Sequence, residues 1–368
     1  MKIKNKVLLS ILGLTLTTTL IACENDEAES NEAEIVEETE SAEGFNPDNA
    51  DGKTLDEVRD ELGGVPVTSE ELNLGGVAKA FENEYWRTLK EGMETGAEKF
   101  NENGFNINID IISPQGENDE EGQLSIVSDM INREFDGLLL SPISDGNLIP
   151  GVENALENDI DVINVNDGLI EIAPSFVGPR AIENGEALAE WLHAQIGDEG
   201  KVAIVMGMPK AFAARQRTEG FENWISENAP DIEIVEKQNA DWDRGRAKDI
   251  ADTWINQHDD LDAIFANNDT MALGVQEAVN SSGKDILVMG VDGIGEAYES
   301  IRKGEMDATV DSFPLYKGQI AVEMMLRKIG GQEIPAVLWT PQAVIDSSNV
   351  DVSAEEIIDW EEPEYSNE

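Results

Sequence analysis

Short apolar runs alternate with amphipathic stretches over most of the chain beyond residue 74. The runs are rich in Val, Ile and Leu and have the length of buried strands. They predict eight strands, at residues 75–80, 107–112, 137–141, 162–165, 202–206, 232–237, 263–266 and 287–291. Between them apolar residues recur at intervals of three and four, most clearly from Trp86 to Phe100 and from Ala247 to Ile255. This alternation predicts an α/β fold with parallel sheets.

The first 23 residues, MKIKNKVLLSILGLTLTTTLIAC, have the features of an export signal. Lysines precede a short apolar run, and the sequence Leu-Ile-Ala-Cys at 20–23 is typical of a lipoprotein cleavage site. The run is interrupted by threonines and is shorter than the roughly 20 apolar residues of a membrane-spanning helix. We therefore expect residues 1–22 to be a signal peptide. Cys23, the one cysteine in the sequence, is expected to carry lipid that anchors the exported protein to the outer face of the cytoplasmic membrane.

The charge of the chain is strongly negative. The sequence has 25 basic and 77 acidic residues, a formal net charge of -52. Phosphate binding needs clustered Lys and Arg, so we expect no nucleic-acid partner. Repulsion of this size destabilises a compact state unless salt screens it, and we interpret the acidity as adaptation to a saline medium. The alternative is that the charge only maintains solubility.

The composition also predicts how the chain is divided. Residues 24–43 contain no basic residue and few apolar ones, so they cannot bury enough surface to fold. We expect an acidic linker over 23–72 and an acidic, frayed tail over 353–368. The remaining length suits two lobes.

Polar side chains cluster where the predicted strands end. The segments are KAFENEYW at 79–86, NVND at 164–167, NADWDR at 239–244, NND at 267–269 and VDG at 291–293. Ligands bind beyond the carboxyl ends of strands in open parallel sheets, so these segments predict a site. Aromatic rings beside Asn, Asp and Arg suit a sugar, because C–H faces lie flat on rings and buried hydroxyls need partners.

The longer motifs resemble the ribose and D-allose type of substrate-binding proteins from sugar ABC importers. The resemblance runs from about Gly75 to Val350 and rests on VAKAFENEYW, GLLLSPISDGNLIPGVENA, ARQRTEGF, QNADWDRGRA, FANNDTMALGVQEAV, MGVDGIGEA and GEMDATVDSFP. It implies a type I periplasmic binding protein fold, with two doubly wound, Rossmann-like parallel-sheet lobes joined by a three-strand hinge. The crossings correspond to 175–178, 312–314 and 341–343. The N-terminal lobe is then expected at 73–175 plus 314–341, and the C-terminal lobe at 176–313 plus 342–352.

The resemblance also implies which side chains contact the ligand. In the order of the sequence they are Lys79, Asn83, Tyr85, Trp86, Asn166, Asp167, Arg217, Trp242, Asn268, Asp292 and Ser312. Asn166 and Asp167 depart from the family's usual Asp-Arg or Asp-Glu pair, and Ser312 replaces a glutamine.

Structural alternatives stay open for several of these residues. Trp86 also heads the stripe of the first helix, and Lys79 is alternatively a solvated charge. Asn166, Asn268 and Asp292 are alternatively turn or cap residues. Arg215 replaces Arg217 if the helix is rotated.

These features predict a monomeric protein that captures a pentose or hexose between two lobes and delivers it to the membrane subunits of an ABC importer. The alternative is a polyol or signalling furanose, reported to a chemoreceptor or sensor kinase. We expect no enzyme, because there is no G-x-S-x-G elbow, no Walker loop and no G-x-G-x-x-G after the first strand. His193 and His258 lack spaced metal ligands, so no metal and no cofactor are expected.

Overall fold

The computed structural model describes residues 45–47, 50–166 and 168–366. The expected signal peptide, Cys23, the acidic segment 24–43 and Asp167 lie outside these ranges. None of the described helices combines the length and the apolar character that crossing a bilayer requires.

Strands and helices alternate along the described part of the chain. The strands are β1 (Lys53–Thr54), β2 (Val65–Pro66), β3 (Glu71–Val77), β4 (Asn106–Ile112), β5 (Gly137–Leu140), β6 (Asp161–Val165), β7 (Phe176–Gly178), β8 (Glu199–Met206), β9 (Asp231–Asn239), β10 (Ala263–Ala266), β11 (Leu287–Asp292), β12 (Ala308–Asp311), β13 (Val337–Trp339), β14 (Ala343–Asp346) and β15 (Tyr365–Ser366). The helices are α1 (Leu55–Leu62), α2 (Glu84–Glu102), α3 (Glu120–Asn132), α4 (Ile149–Glu157), α5 (Ala181–Ile196), α6 (Phe212–Asn228), α7 (Arg244–Gln257), α8 (Asp269–Ser282), α9 (Gly295–Lys303), α10 (Pro314–Ile329) and α11 (Ala354–Ile357).

The strands form two large sheets, one in each lobe. The first has the order β1-β13-β7-β6-β5-β3-β4, and all its neighbours run parallel. The second has the order β14-β12-β11-β10-β8-β9, with β14 antiparallel to β12 and the others parallel. A separate parallel pair joins β15 to β2. The expected α/β fold of two parallel-sheet lobes is confirmed.

Both large sheets are covered by helices on two faces, which explains the continuous apolar runs. In β5, Leu138 and Leu140 pack with residues of α3 and α4, whereas Leu139 faces the cluster that contains α2 and α10. Alternate side chains of a strand point to opposite faces, so a strand between two helical layers is apolar throughout. The two helical stripes expected from the sequence are buried in α2 and α7.

All eight predicted strands are present, with ends that shift by up to four residues. The short strands β7, β12, β13 and β14 were not predicted, because runs of three or four residues without a clear apolar pattern give only a weak strand signal. One of them moves the expected lobe boundary. Phe176 to Gly178 pair with β6 and β13 in the first sheet, so the chain leaves the first lobe after Gly178 and not before Phe176. In the structure, the other two crossings lie between β12 and α10 and between β13 and β14.

The part of the expected linker that the structure describes is folded onto the first lobe. Leu55, Val58 and Val65 are buried, and β1 pairs with β13. Thr54 caps α1 by accepting a hydrogen bond from the backbone of Glu57, whose side chain accepts one from the Thr54 backbone. The sequence prediction missed this segment because its apolar residues are few and spaced among acidic ones.

The end of the chain also differs from the frayed tail that we expected. Residues 351–366, which we call the C-terminal strap, connect the second lobe to the first. Asp351 pairs with Arg302 of α9 at 2.8 Å. Further along, Trp360 packs 4.8 Å from the Tyr316 ring of α10, and Tyr365 packs 5.6 Å from Phe100 of α2. Packing of these partly buried aromatic rings holds the acidic segment on the first lobe, so the strap forms a fourth connection between the lobes.

Candidate functional site

A narrow inner cavity lies between the two lobes. Its volume is about 20 Å³, which is room for about one water molecule. Nine of the described residues, from both lobes, line it: Lys79, Asn83, Tyr85, Trp86, Glu117, Arg217, Trp242, Asn268 and Asp292. The first five come from β3, β4, α2 and the loops beside them, and the other four come from the second lobe.

The start of α2 builds the first-lobe wall of this cavity. Asn83 caps the helix by accepting a hydrogen bond from the Tyr85 backbone at 3.1 Å, which fixes Tyr85 and Trp86 in the first turn. Asn83 Nδ2 and Trp86 Nε1 both donate to Glu117 Oε1, at 3.2 and 3.0 Å. The Lys79 ammonium lies 5.2 Å from the centroid of the Trp86 ring, within cation–π distance.

A buried polar cluster lies behind Tyr85. The Tyr85 hydroxyl donates to Asn166 Oδ1 at 2.5 Å and lies 3.2 Å from Ser312 Oγ. Lys317 of α10 donates from Nζ to Tyr85 at 2.7 Å, to Asn166 Oδ1 at 2.7 Å and to Ser312 at 3.1 Å. Lys317 and Asn166 are both fully buried. This cluster joins the first-lobe wall to the hinge.

In the second lobe, a buried ion pair forms the wall. Arg217 of α6 is 1% exposed and Asp292 is 5% exposed. A guanidinium nitrogen of Arg217 lies 3.3 Å from Oδ1 of Asp292. Arg217 also donates to the backbone carbonyl of Asn267 at 2.7 Å. Arg215 points elsewhere: it is exposed and pairs with Asp145 of the first lobe. The structure therefore brings Arg217, and not Arg215, to the cavity.

Trp242 reaches the cavity because the chain turns sharply after β9. Its φ of 67° lies in the left-handed region that a bulky residue rarely adopts. The indole packs on the backbone of Gly207, where an added Cβ would lie 2.1 Å from the ring. A glycine at 207 is therefore required for this position of the indole.

The buried carboxyl group of Asp269 supports a loop beside the cavity. Asp269 accepts hydrogen bonds from the backbone of Gly293 and Ile294 and from Thr309, at 2.7 to 3.1 Å. Burial raises its pKa to about 6, although these hydrogen bonds and Arg217 oppose the shift. The hydrogen bonds from Gly293 and Ile294 to Asp269 fix the loop that follows Asp292.

Asp311 lies at the hinge. Burial raises its pKa to about 7, against the opposing effect of hydrogen bonds from the Phe313 backbone and the Tyr298 hydroxyl. Phe313 has a φ of 48°, so Asp311 stabilises a strained turn at one of the crossings.

A wider outer chamber, with a volume of about 890 Å³, leads to the inner cavity and shares Asn83, Glu117 and Trp242 with it. The lobes touch across its rim. Glu84 Oε1 accepts a hydrogen bond from the Gly295 backbone at 3.0 Å, and Lys210 pairs with Glu120. The structure therefore has the lobes in contact around the site.

Most of the site residues expected from the sequence come together. Lys79, Asn83, Tyr85, Trp86, Arg217, Trp242, Asn268 and Asp292 all line the inner cavity. Asn166 and Ser312 lie behind Tyr85 and do not line it, and Asp167 lies outside the described residues. Asn268 has both roles considered for it, since it lines the cavity and caps α8 by accepting from the Met271 backbone at 3.0 Å.

The sequence reasoning missed Glu117 and Lys317. Glu117 follows β4 by five residues, so extending the search from each strand end to the whole following loop would have included it. Lys317 gives no such signal, because it lies inside a helix and reaches the cluster through packing of α10 on α2. Within the described ranges, no group of three or more His, Cys, Asp or Glu side chains is placed to hold a metal ion.

Comparison with known proteins identifies the family of this chain. The model of the periplasmic binding protein domain matches residues 74–333. The ribose import binding protein of Bacillus subtilis (strain 168) is 32% identical over 276 residues, covering 74% of this chain and 86% of the relative. The resemblance drawn from the sequence is confirmed, and so is the expectation of a protein that is not an enzyme, because the family consists of substrate-binding proteins.

Two solved structures share this fold. An ABC transporter solute-binding protein from Actinobacillus succinogenes 130z, with bound D-allose, has a TM-score of 0.71 at 29% identity and covers 76% of this chain and 99% of its own. One from Bacillus halodurans C-125, with bound myo-inositol, has a TM-score of 0.70 at 25% identity and covers 77% and 97%. With a cavity between two parallel-sheet lobes and a family match over most of its length, the chain belongs to the periplasmic binding protein family.

Proposed function

We propose that the chain binds a monosaccharide, a pentose or a hexose, in the inner cavity between its lobes. The observation that carries the proposal is that Trp86 of the first lobe and Trp242 of the second line one cavity. Two indoles offer flat apolar faces to the C–H groups of a sugar ring. A relative named as a ribose import binding protein and a related structure with bound D-allose support the same ligand class.

The charges around the cavity favour a neutral ligand with many hydroxyls. Lys79 and Arg217 contribute two cations, and Glu117 and Asp292 contribute two carboxylates. Charged groups make the stronger hydrogen bonds to neutral partners, and a mixture of donors and acceptors suits hydroxyls, which both donate and accept. Since these four charges cancel, no net charge is required of the ligand.

Opening at the hinge is part of the proposed mechanism. A cavity of about 20 Å³ admits no sugar ring, so the lobes or their side chains must move apart for entry. Each lobe holds part of the lining, and a ligand that contacts both stabilises the closed form relative to the open one. Closure then reports occupancy to a partner.

We further propose that a monomer, anchored by lipid on Cys23 at the outer face of the membrane, delivers the ligand to an ABC importer. The lipoprotein-type leader and the import function in the relative's name support this step. A Cys23→Ser variant expressed in a bacterial host is expected to lose incorporation of labelled palmitate and to leave the membrane fraction. Equal labelling of both proteins would exclude the anchor.

A polyol is the second candidate ligand. The related structure with bound myo-inositol favours it, because a carbocyclic polyol offers hydroxyls and C–H faces without a ring oxygen. Whether such a ligand is imported or reported to a sensor depends on the partner.

The test is a thermal-shift screen of pentoses, hexoses and polyols in high salt, followed by calorimetry on each ligand that raises the Tm. We expect one monosaccharide to bind, and Trp242→Ala to weaken that binding while Leu156→Ala, a change at an exposed side chain, leaves it unaltered. If none of these compounds shifts the Tm or produces heat on titration, the proposed function is wrong.

A further inference from the structure

The side-chain amide of Asn166 has a fixed orientation. Its Oδ1 accepts from the Lys317 ammonium at 2.7 Å and from the Tyr85 hydroxyl at 2.5 Å. An ammonium donates and never accepts, so the amide atom that faces it must be the oxygen. A reversed amide would direct its NH₂ group at another donor. Lys317 therefore determines which end of Asn166 faces away from the cluster.

The other end of this amide is a buried donor. Asn166 is fully buried, and its Nδ2 has no hydrogen-bond acceptor within the part of the chain that the structure describes. Buried polar groups in native proteins are almost always paired, and an unmatched one calls for a partner that the described residues do not supply, such as a water molecule or a ligand. Asn166 directly follows β6, at the carboxyl edge of the first sheet where ligands of this sheet type bind.

We propose that Lys317 is a positioning residue for ligand specificity, holding Asn166 as a hydrogen-bond donor to an oxygen of the bound sugar. The inference rests on the proposed function and deepens it. It specifies that the ligand presents an accepting oxygen, either the ring oxygen or a hydroxyl oxygen, at the end of the site near Asn166. A methylene at that position leaves Nδ2 without its acceptor.

Lys317 contacts other residues of the site besides Asn166. The same ammonium also binds Ser312 at the hinge and Tyr85, whose ring lines the inner cavity. Lys317 is fully buried, and its charge also opposes the rise that burial causes in the pKa of Asp311 at the hinge. The ammonium is therefore surrounded by polar groups of both the first-lobe wall and the hinge.

The test measures how variants respond to removal of single oxygens from the ligand. Calorimetry is performed with the sugar that binds, each of its singly deoxygenated analogues and the carbocyclic analogue that lacks the ring oxygen. For the wild type, we expect one analogue to bind about tenfold more weakly because of the lost contact with Asn166. In Asn166→Ala that analogue and the parent sugar should bind equally, which identifies the oxygen.

Two substitutions at Lys317 separate orientation from packing. Lys317→Met removes the donor and keeps an unbranched side chain that is one atom shorter, so the amide can reverse and the tenfold discrimination is expected to fall to about twofold or less. Lys317→Arg keeps a group that only donates and is expected to preserve the discrimination. If the methionine variant does not fold, a crystal structure of the wild type without sugar still tests the contact between Nζ and Oδ1.

Three results would overturn the inference. Unchanged discrimination in Asn166→Ala means that only a water binds Nδ2, and unchanged discrimination in Lys317→Met means that the lysine does not orient the amide. A crystal structure without sugar in which Nζ lies beyond about 3.2 Å from Oδ1 excludes the contact itself. If no sugar or polyol binds the wild type, the proposed function is wrong, and so is the part of this inference that concerns the ligand. The crystal structure still decides whether Lys317 orients the Asn166 amide.

Discussion

Arg217 and Asp292 form an ion pair whose loss should affect folding as well as binding. The two groups lie 3.3 Å apart, and the Arg217 side chain is almost fully buried. Arg217 also donates a charge-assisted hydrogen bond of 2.7 Å to the Asn267 carbonyl. Breaking a buried pair by removing one partner costs about 3–5 kcal/mol, because the buried charge that remains loses the attraction of its opposite. We expect Arg217→Met to lower the free energy of unfolding by that amount.

A double variant tests the electrostatic origin of this loss. Arg217→Met combined with Asp292→Asn removes both charges, and replacement of both members of a buried pair is often nearly neutral. The double variant should therefore be more stable than Arg217→Met alone. Urea unfolding, followed by tryptophan fluorescence and circular dichroism, measures the free energy and checks that the m value is unchanged.

The reasoning is refuted if Arg217→Met is as stable as the wild type, or if the double variant is no more stable than the single one. Both variants are expected to bind sugar poorly, since Arg217 and Asp292 line the inner cavity. Weaker sugar binding by an Arg217 variant would therefore combine reduced stability with the loss of a ligand contact. A substitution at a site residue that does not destabilise the fold is needed as a second test.

Three further predictions use other properties of the structure. Trp242→Ala should weaken sugar binding by about 2 kcal/mol or more in calorimetry with little change in Tm, and unchanged affinity would remove Trp242 from the site. Because the net charge is -52, the Tm should rise as NaCl increases to molar concentration, and a flat series contradicts the saline interpretation. Burial raises the pKa of Asp311 to about 7, above its ordinary value of 3.8, so the native state binds this proton more tightly than the unfolded state. The free energy of unfolding should therefore fall as pH rises between about 4 and 7, and Asp311→Asn should reduce that fall in urea titrations at several pH values; equal slopes in both proteins would contradict the assignment.

The sequence predicts the long buried elements well, because their pattern is set by contacts on both faces. Leu138 to Leu140 are apolar since helices cover each side of β5, and the α2 stripe from Trp86 to Phe100 is apolar on the face that packs. The strands β7 and β13 are only three residues long, so their place in the first sheet depends on neighbours distant in sequence. The same limit shifted the expected lobe boundary.

The site, too, has residues that the sequence predicts and residues that it does not. Residues at strand ends, such as Asp292, could be found because parallel strands bring their carboxyl ends to one edge. Lys317 could not, since its approach to Asn166 depends on how closely α10 packs on α2. An added Cβ on Gly92 of α2 would lie 2.0 Å from the Leu315 carbonyl oxygen, so the two helices are in direct backbone contact there. Contact of this kind depends on three-dimensional packing that no local pattern encodes.

The C-terminal strap has a consequence for the motion of the two lobes. Both ends of the described chain lie on the same lobe, because Phe45 packs with Phe176 and Trp339 of the first sheet and β15 pairs with β2. Because the strap contacts α9 of the second lobe and α2 and α10 of the first, it is expected to limit how far the second lobe can rotate away from the first when the hinge opens.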